Sequence, residues 1–175
     1  MPRAMSTFIV LLRGVTVGKA KRVPMADLRD LLAELGCHSV ATLLNSGNAV
    51  VEATGTKAPA LATKVAAALR ARFGFEVPVV VKSGKELDAI VEASPLAGVA
   101  ADPSRLLVVF AQDPSAIEGL RPLAARVSPP EVFELRAEAA YLHCPLGLLE
   151  SKAGITLVPK NSGLLPQLIA SNPGK

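Results

Sequence analysis

Residues 8–51 read FIVLLRGVTVGKAKRVPMADLRDLLAELGCHSVATLLNSGNAVV, and this stretch decides the fold. It opens on a continuous apolar run that stops at Arg13, which is typical of a buried strand. From Pro24 onward, apolar residues recur at helical spacing as far as Gly36, a common helix stop. Two β-type runs then flank residues 45–48 (Asn-Ser-Gly-Asn), which are all turn formers. The stretch therefore predicts a strand, a helix and a β-hairpin.

The rest of the chain continues this order of elements. Residues 57–73 predict a second helix ended by Gly74, and residues 77–82 predict another short apolar strand. Strand, helix, strand, strand, helix, strand is the ferredoxin-like order, with an antiparallel sheet and both helices on one side. The same order of elements returns after residue 105, without a residue-level repeat. We therefore predict an α+β protein made of two tandem ferredoxin-like (βαββαβ) subdomains with antiparallel sheets.

The predicted domain boundaries follow from the segment that joins the two halves. Ser83 and Glu86 have the spacing of a capping box, which opens a short connecting helix. We predict a first subdomain over residues 1–82, a connecting helix and loop over 83–104, and a second subdomain with a C-terminal tail over 105–175.

Two features of the second half modify this picture. Pro122 breaks or kinks the predicted fourth helix, because proline lacks the backbone N–H that a helix interior requires. In the tail, apolar residues at helical spacing predict a last helix. These residues are Leu164, Leu165, Leu168 and Ile169.

The positive charge of the chain is concentrated near its start. The formal net charge is +4, yet residues 1–26 contain five basic residues and no acidic residue. Focused basicity is typical of a site for a polyanion or a phosphate group, and it also fits a solvated basic loop. The basic residues are Arg3, Arg13, Lys19, Lys21 and Arg22.

The opening stretch also carries four motifs that resemble a known family. They are residues 12–18 (Leu-Arg-Gly-Val-Thr-Val-Gly), residues 23–25 (Val-Pro-Met) with Leu28, Thr42, and residues 46–48 (Ser-Gly-Asn). Together and in this order they resemble the bacterial family called domain of unknown function 1697. That family has no established activity, so the resemblance implies no reaction.

The chain departs from the family pattern in two places. Val15 stands for the usual Ile, and Thr16 stands for the usual Asn. Beyond about residue 152 the resemblance fades, because the family ends in Thr-x-x-Arg-Asn-Trp-Asn-Thr whereas this chain has no Trp. Residues 158–162 (Val-Pro-Lys-Asn-Ser) stand there instead.

The loop after the first strand invites comparison with a phosphate-binding loop. A Walker loop has four residues between its glycines and a Ser or Thr after its Lys. Here three residues separate Gly14 from Gly18, and Ala20 follows Lys19, which excludes a nucleotide-hydrolysing motor. A looser anion site at the start of the first helix remains. Its candidate residues are Arg13, Gly14, Gly18, Lys19, Lys21, Arg22, Ser46, Gly47 and Asn48.

Three classes of function remain open from the sequence. The first is a non-catalytic protein that binds nucleic acid or a phosphate-bearing small molecule through the basic loop. The second is a small-molecule enzyme that uses Arg13, Asn48 and His143 in a cleft between the subdomains. The third is an interaction module that pairs through a sheet edge. Recognition by base stacking is not expected, because Phe8 is the one aromatic residue on the first strand and the third strand has none.

Cysteine usage and hydropathy limit which kinds of site and which cellular location the sequence predicts. Cys37 and Cys144 form no C-x-x-C and have no histidine at a ligand spacing, so neither a disulfide framework nor a metal site is predicted. No cofactor is predicted either. Signal-peptide and membrane-spanning runs are not apparent, which predicts a cytoplasmic protein without a membrane partner. The sequence does not determine the oligomeric state.

Overall fold

The computed structural model places two antiparallel sheets and their helices in two compact units, Met1–Asp88 (unit 1) and Ala89–Lys175 (unit 2). The predicted α+β class is confirmed. The structure describes residues 3–15, 22–43, 47–157 and 165–167.

Unit 1 contains a four-stranded sheet in the order β2-β3-β1-β4, in which every neighbouring pair is antiparallel. A connecting helix, α3, follows the sheet and contains the boundary between the units. The elements are β1 (Met5–Leu12), α1 (Met25–Glu34), β2 (His38–Leu43), β3 (Asn48–Thr54), α2 (Ala58–Phe73), β4 (Val79–Ser83) and α3 (Gly84–Glu92).

Local signals set the ends of these helices. α1 begins directly after Pro24. α2 ends at Gly74, which has a φ of 75° and donates its N–H to the Arg70 carbonyl at 2.9 Å. At α3, the Ser83 N–H donates to the Glu86 carboxylate at 2.7 Å and the Glu86 N–H donates to Ser83 Oγ at 3.2 Å. The predicted capping box is confirmed.

The core of unit 1 lies between the helices and one face of the sheet. Alternation along β1 sends Phe8, Val10 and Leu12 into this core, where they meet the apolar stripe of α1. The most deeply buried residues of that stripe are Leu28, Leu31 and Leu32. Burying one such side chain contributes about 1.5–3 kcal/mol, so this packing holds β1 in place.

Unit 2 has a second four-stranded sheet in the order β6-β7-β5-β8. A 3₁₀ segment at Arg121–Arg126 follows the four-residue α4, so the predicted break around Pro122 is confirmed. The elements are β5 (Leu106–Phe110), α4 (Ser115–Glu118), β6 (Val132–Leu135), β7 (Ala140–His143), α5 (Lys152–Leu157) and β8 (Leu165–Gln167).

The prediction of a helix in the C-terminal tail is wrong at Leu165–Gln167. These residues form β8, which pairs antiparallel with the second half of β5. Without β8, the backbone N–H and C=O groups of β5 on the side away from β7 would have no strand partner. A strand can form hydrogen bonds with these groups, whereas a helix uses its own backbone groups internally. The other predicted residues of that helix, Leu164, Leu168 and Ile169, lie outside the described residues.

α3 supports the sheet of unit 2 through a buried tyrosine. Tyr141, on β7, is fully buried and its hydroxyl donates a hydrogen bond to the Ile90 carbonyl of α3. Ile90 is itself 1% exposed. The sequence did not predict this contact.

Candidate functional site

The exit of β1 and the turn between β2 and β3 lie at the same end of the unit 1 sheet. The Leu12 N–H donates to the Gly47 carbonyl at 2.9 Å, and Leu11 lies opposite Asn48 in the ladder. On the other side of β1, the Arg13 N–H donates to the Pro78 carbonyl at 3.1 Å. The turn, the β1 exit and the segment before β4 therefore meet at one place, which we call the basic end.

Gly47 holds the turn against β1. Its φ is 83°, and a Cβ at this position would lie 2.7 Å from Leu12 Cβ and 2.8 Å from Val15 Cγ2. Such distances are far shorter than a normal carbon contact, so only glycine lets the turn approach this closely. Sequence reasoning explained Gly47 by the turn alone, and the close approach to Leu12 and Val15 adds a second reason.

Arg13 and Asn48 belong to the same face of the sheet. Leu12 contributes to the helix-side core, so the alternation of β1 places Leu11 and Arg13 on the opposite face. Asn48 shares that face because it pairs with Leu11. Both side chains are half-buried, whereas Gly14 is exposed with a φ of 71°. The structure thus brings together Arg13, Gly14, Gly47 and Asn48, which the sequence alone did not.

The start of α1 adds a second feature near the loop. Val15 and Val23, which precede and follow residues 16–21 in the chain, are both buried in the unit 1 core. Arg22 is exposed, and the first turn of α1 has no side-chain cap. Uncapped N–H groups at a helix start favour an anion, although Asp27 in the same turn reduces this preference.

Four of the predicted ligand-binding residues lie outside the described residues. They are Gly18, Lys19, Lys21 and Ser46. Their part in a site stays a prediction from the sequence.

Two polar residues of unit 2, Ser151 and Tyr141, have structural partners. Ser151 Oγ accepts the N–H of Gly154 at 3.0 Å and so caps the start of α5. The Tyr141 hydroxyl is committed to Ile90, as described above. His143 lies on β7 and is 9% exposed. Its proposed convergence with the unit 1 residues Arg13 and Asn48 stays a prediction.

The two cysteines are buried. Burial raises the pKa of the Cys37 thiol, and Lys64 lowers it to a smaller extent. Burial also raises the pKa of the Cys144 thiol. A hydrogen bond with the Ser151 hydroxyl lowers the same pKa to a smaller extent. Over the described part of the chain, the structure holds no group of three or more His, Cys, Asp or Glu side chains arranged for a metal ion.

Both thiols are therefore expected to be unreactive in the native protein at neutral pH. The thiolate is the reacting species, and a raised pKa keeps its fraction low until the pH rises. With Ellman's reagent, we expect slow labelling of the native protein and rapid release of two equivalents in denaturant. Rapid labelling of either Cys37 or Cys144 in the folded chain would contradict this prediction.

Among the described helices, none has both the length and the apolar character needed to cross a lipid bilayer.

Comparisons with known proteins give the family and the fold. The sequence pattern described as "Protein of unknown function (DUF1697)" matches residues 5–141, so the chain belongs to this family. This confirms the resemblance seen in residues 12–18, 23–28 and 46–48.

A solved structure is similar over nearly the whole chain. It is described as "The structure of conserved bacterial protein SP0830 from Streptococcus pneumoniae". The similarity covers 94% of this chain and 93% of that chain, with 22% identity and a TM-score of 0.77. At this identity the likeness shows the fold alone. A search among curated proteins finds no match.

Proposed function

We propose that this protein binds a phosphate-bearing ligand, either a nucleic acid or a phosphate-bearing small molecule, at the basic end of unit 1. One observation carries the proposal. The Leu12–Gly47 hydrogen bond and the Leu11–Asn48 pairing join the end of β1, which lies within the acid-free residues 1–26, to Gly47 and Asn48 at one end of the sheet. Without this register, the two motifs would be separate loops.

The groups at the basic end suit a phosphate. Arg13 provides a planar guanidinium that can donate two parallel hydrogen bonds to one phosphate. Asn48, on the same face, adds a carboxamide donor, and Gly14 leaves the neighbouring backbone accessible. Arg22 and the uncapped start of α1 add positive potential. These groups recognise phosphate rather than a base, so weak sequence preference and strong salt dependence are expected.

For the fold, we infer that both units are ferredoxin-like subdomains in tandem. Unit 1 has the element order βαββαβ with strands arranged β2-β3-β1-β4, and unit 2 repeats both features with β6-β7-β5-β8. The boundaries proposed for them are residues 1–82 and 105–175, with 83–104 as the connection. The unit boundary at Asp88 lies within that connection.

An interaction module that pairs through an edge of the unit 1 sheet has less support. The edge strand β2 shifts register between His38 and Ala41, and Ser39 within it has a φ of 50°. Bulges of this kind interrupt an edge and oppose further strand addition.

The proposal is tested by fluorescence anisotropy of labelled single- and double-stranded oligonucleotides across a salt series. Replacing Arg13, Lys21 and Arg22 by alanine should weaken binding by at least tenfold at low salt. The slope of log K against log salt concentration should also become shallower, by up to about three units. Each phosphate contact contributes about 0.7–0.9 to that slope. Inorganic phosphate or a mononucleotide as competitor distinguishes a small ligand from a polymer.

A second triple variant controls for the change in net charge. Lys64, Arg121 and Lys152 are exposed cations outside residues 1–26, and their replacement by alanine removes the same charge. We expect it to change affinity by less than twofold. Equal losses in both triple variants, or no binding of any oligonucleotide or phosphate probe to the wild type at low salt, would refute the proposal.

A further inference from the structure

We infer, on the basis of the phosphate site proposed above, that the ligand of the basic end is an unpaired nucleotide. Its phosphate contacts the basic end, and its base lies on a neighbouring aliphatic patch of the unit 1 sheet. The patch is formed by Ile9, Ala41, Leu43 and Val50.

The first row of the patch lies on the same sheet face as Arg13. Directly opposed residues of an antiparallel sheet share a face, and Asn48 is opposed to Leu11 in β1 and to Leu43 in β2. Arg13 belongs to the face of Leu11, because two residues separate them along the chain. Leu43 and Asn48 therefore lie one row of side chains from Arg13, on the face opposite the helices.

The second row of the patch follows directly. Val50 is opposed to both Ile9 and Ala41, so these three residues share the same face. Val50 is two residues from Asn48 in β3, which places the two rows about 7 Å apart. One nucleotide covers a comparable distance between its phosphate and its base.

Burial closes one half of this face and leaves the other half open. On the β4 side, Leu11 is 4% exposed, and Val80, which is opposed to it, is 3% exposed. On the β2 side, Leu43 is 58% exposed, and Ala41 is exposed as well. A ligand that begins at Arg13 can therefore extend over β3 and β2, where the aliphatic patch lies.

The side chains of the patch suit the flat face of a base. All four are aliphatic, so they carry no charge that would repel or pair with a second phosphate. Covering them with a base buries apolar surface on both partners. Asn48, in the same row as Leu43, adds a carboxamide with donors and an acceptor for the edge of the base, which favours a base over an alkyl chain.

Contact with the patch differs from recognition on aromatic rings. The patch has no aromatic residue, so the base is held by apolar burial and dispersion. Aliphatic side chains form no hydrogen bonds with the edges of bases. The patch therefore accepts any base, in agreement with the weak sequence preference expected of the phosphate site.

The base must be unpaired to reach the patch. In a duplex, the faces of the bases are covered by their neighbours in the stack. A site that contacts phosphate alone would bind a duplex at least as tightly as a single strand, because the duplex has the higher charge density. Preference for a single strand is thus the result that distinguishes the patch from the basic end acting alone.

The test compares three fluorescein-labelled probes by anisotropy at low salt. They are an oligothymidylate, an abasic strand with the same number of phosphates, and a duplex of the same length. We expect the oligothymidylate to bind at least about fivefold more tightly than the other two, because only its bases can be buried on the patch. Adenosine monophosphate and ribose 5-phosphate serve as competitors. Displacement of the oligothymidylate by the first alone would identify a free nucleotide as the ligand, and displacement by neither would identify a single strand.

Variants of the patch separate base contact from phosphate contact. Leu43→Ser should reduce the preference for oligothymidylate, and Leu43→Ser with Val50→Thr should remove most of it. Binding of the abasic strand and the duplex should stay unchanged, because every cation is retained. Leu43→Phe should strengthen binding of the oligothymidylate about fivefold, since a base stacks on an aromatic ring. Leu149→Ser is the control, because it removes a leucine that is 76% exposed in unit 2, and it should change none of these affinities.

Two results would overturn the base contact alone. One is equal affinity of the wild type for the oligothymidylate and the abasic strand, with binding that still depends on Arg13, Lys21 and Arg22. The other is an unchanged preference in both Leu43→Ser and Leu43→Phe. These two variants alter a side chain that is 58% exposed, so they decide the matter even if the double variant does not fold. Absence of binding to any of the three probes would overturn the base contact and the phosphate site together.

Discussion

Replacing Gly47 by alanine is expected to lower the free energy of unfolding by about 2–4 kcal/mol. About 1 kcal/mol arises because a residue with a Cβ disfavours the left-handed φ of 83°. A further 1–3 kcal/mol arises from overpacking, since the new methyl group would lie 2.7 Å from Leu12 Cβ and 2.8 Å from Val15 Cγ2. Denaturant titration monitored by circular dichroism measures this loss.

Gly14→Ala is the matched control for the Gly47 variant. Gly14 also has a positive φ, 71°, but no atom lies within 4 Å of the position that its Cβ would occupy. Its replacement should cost only the conformational contribution, about 1 kcal/mol. If both variants lost the same stability, the contact between the turn and the β1 exit would not hold the basic end together.

Replacing Tyr141 by phenylalanine is expected to lower the free energy of unfolding by about 1–3 kcal/mol. The hydroxyl donates to the Ile90 carbonyl in a buried setting, and its removal leaves that carbonyl without this donor. The ring itself is retained, so no large cavity forms. Because Ile90 belongs to α3, hydrogen exchange of the amides in Gly84–Glu92 should accelerate more than exchange in α2.

The pH dependence gives a second readout for Tyr141. Burial raises the pKa of this hydroxyl above its ordinary value, and Arg136 lowers it to a smaller extent. The folded state therefore holds the proton more tightly than the unfolded state, so the contribution is present below about pH 10 and is lost as the pH rises further. The Phe variant should lose less stability than the wild type above that pH. Two results would contradict this account. One is the same loss of stability at alkaline pH in the wild type and the Phe variant, and the other is unchanged hydrogen exchange of the α3 amides in the variant.

The helix boundaries of unit 1 were predictable because their causes are local. Pro24 before α1, Gly74 after α2, and the Ser83–Glu86 box before α3 each act over a single turn of helix. The hairpin was equally readable, because turn formers at 45–48 separate two β-type runs. Such signals need no knowledge of distant residues.

The C-terminal tail shows where local signals lead to the wrong element. Its apolar spacing favoured a helix, yet Leu165–Gln167 pairs with Val108–Phe110. Strand formation there depends on the free edge of β5, more than 50 residues earlier in the chain. Periodicity in the tail carries no information about that edge.

The sequence by itself determined the α+β class, the order of elements as far as β7, the family, and the acid-free basic segment at residues 1–26. Only the tertiary structure decided that the Gly47–Asn48 turn lies against the β1 exit, that Tyr141 reaches α3, and that the tail supplies β8. The physical reason is the same in each case. Helix caps and turns depend on neighbours within a few residues, whereas strand register and buried contacts depend on packing between segments far apart in the chain.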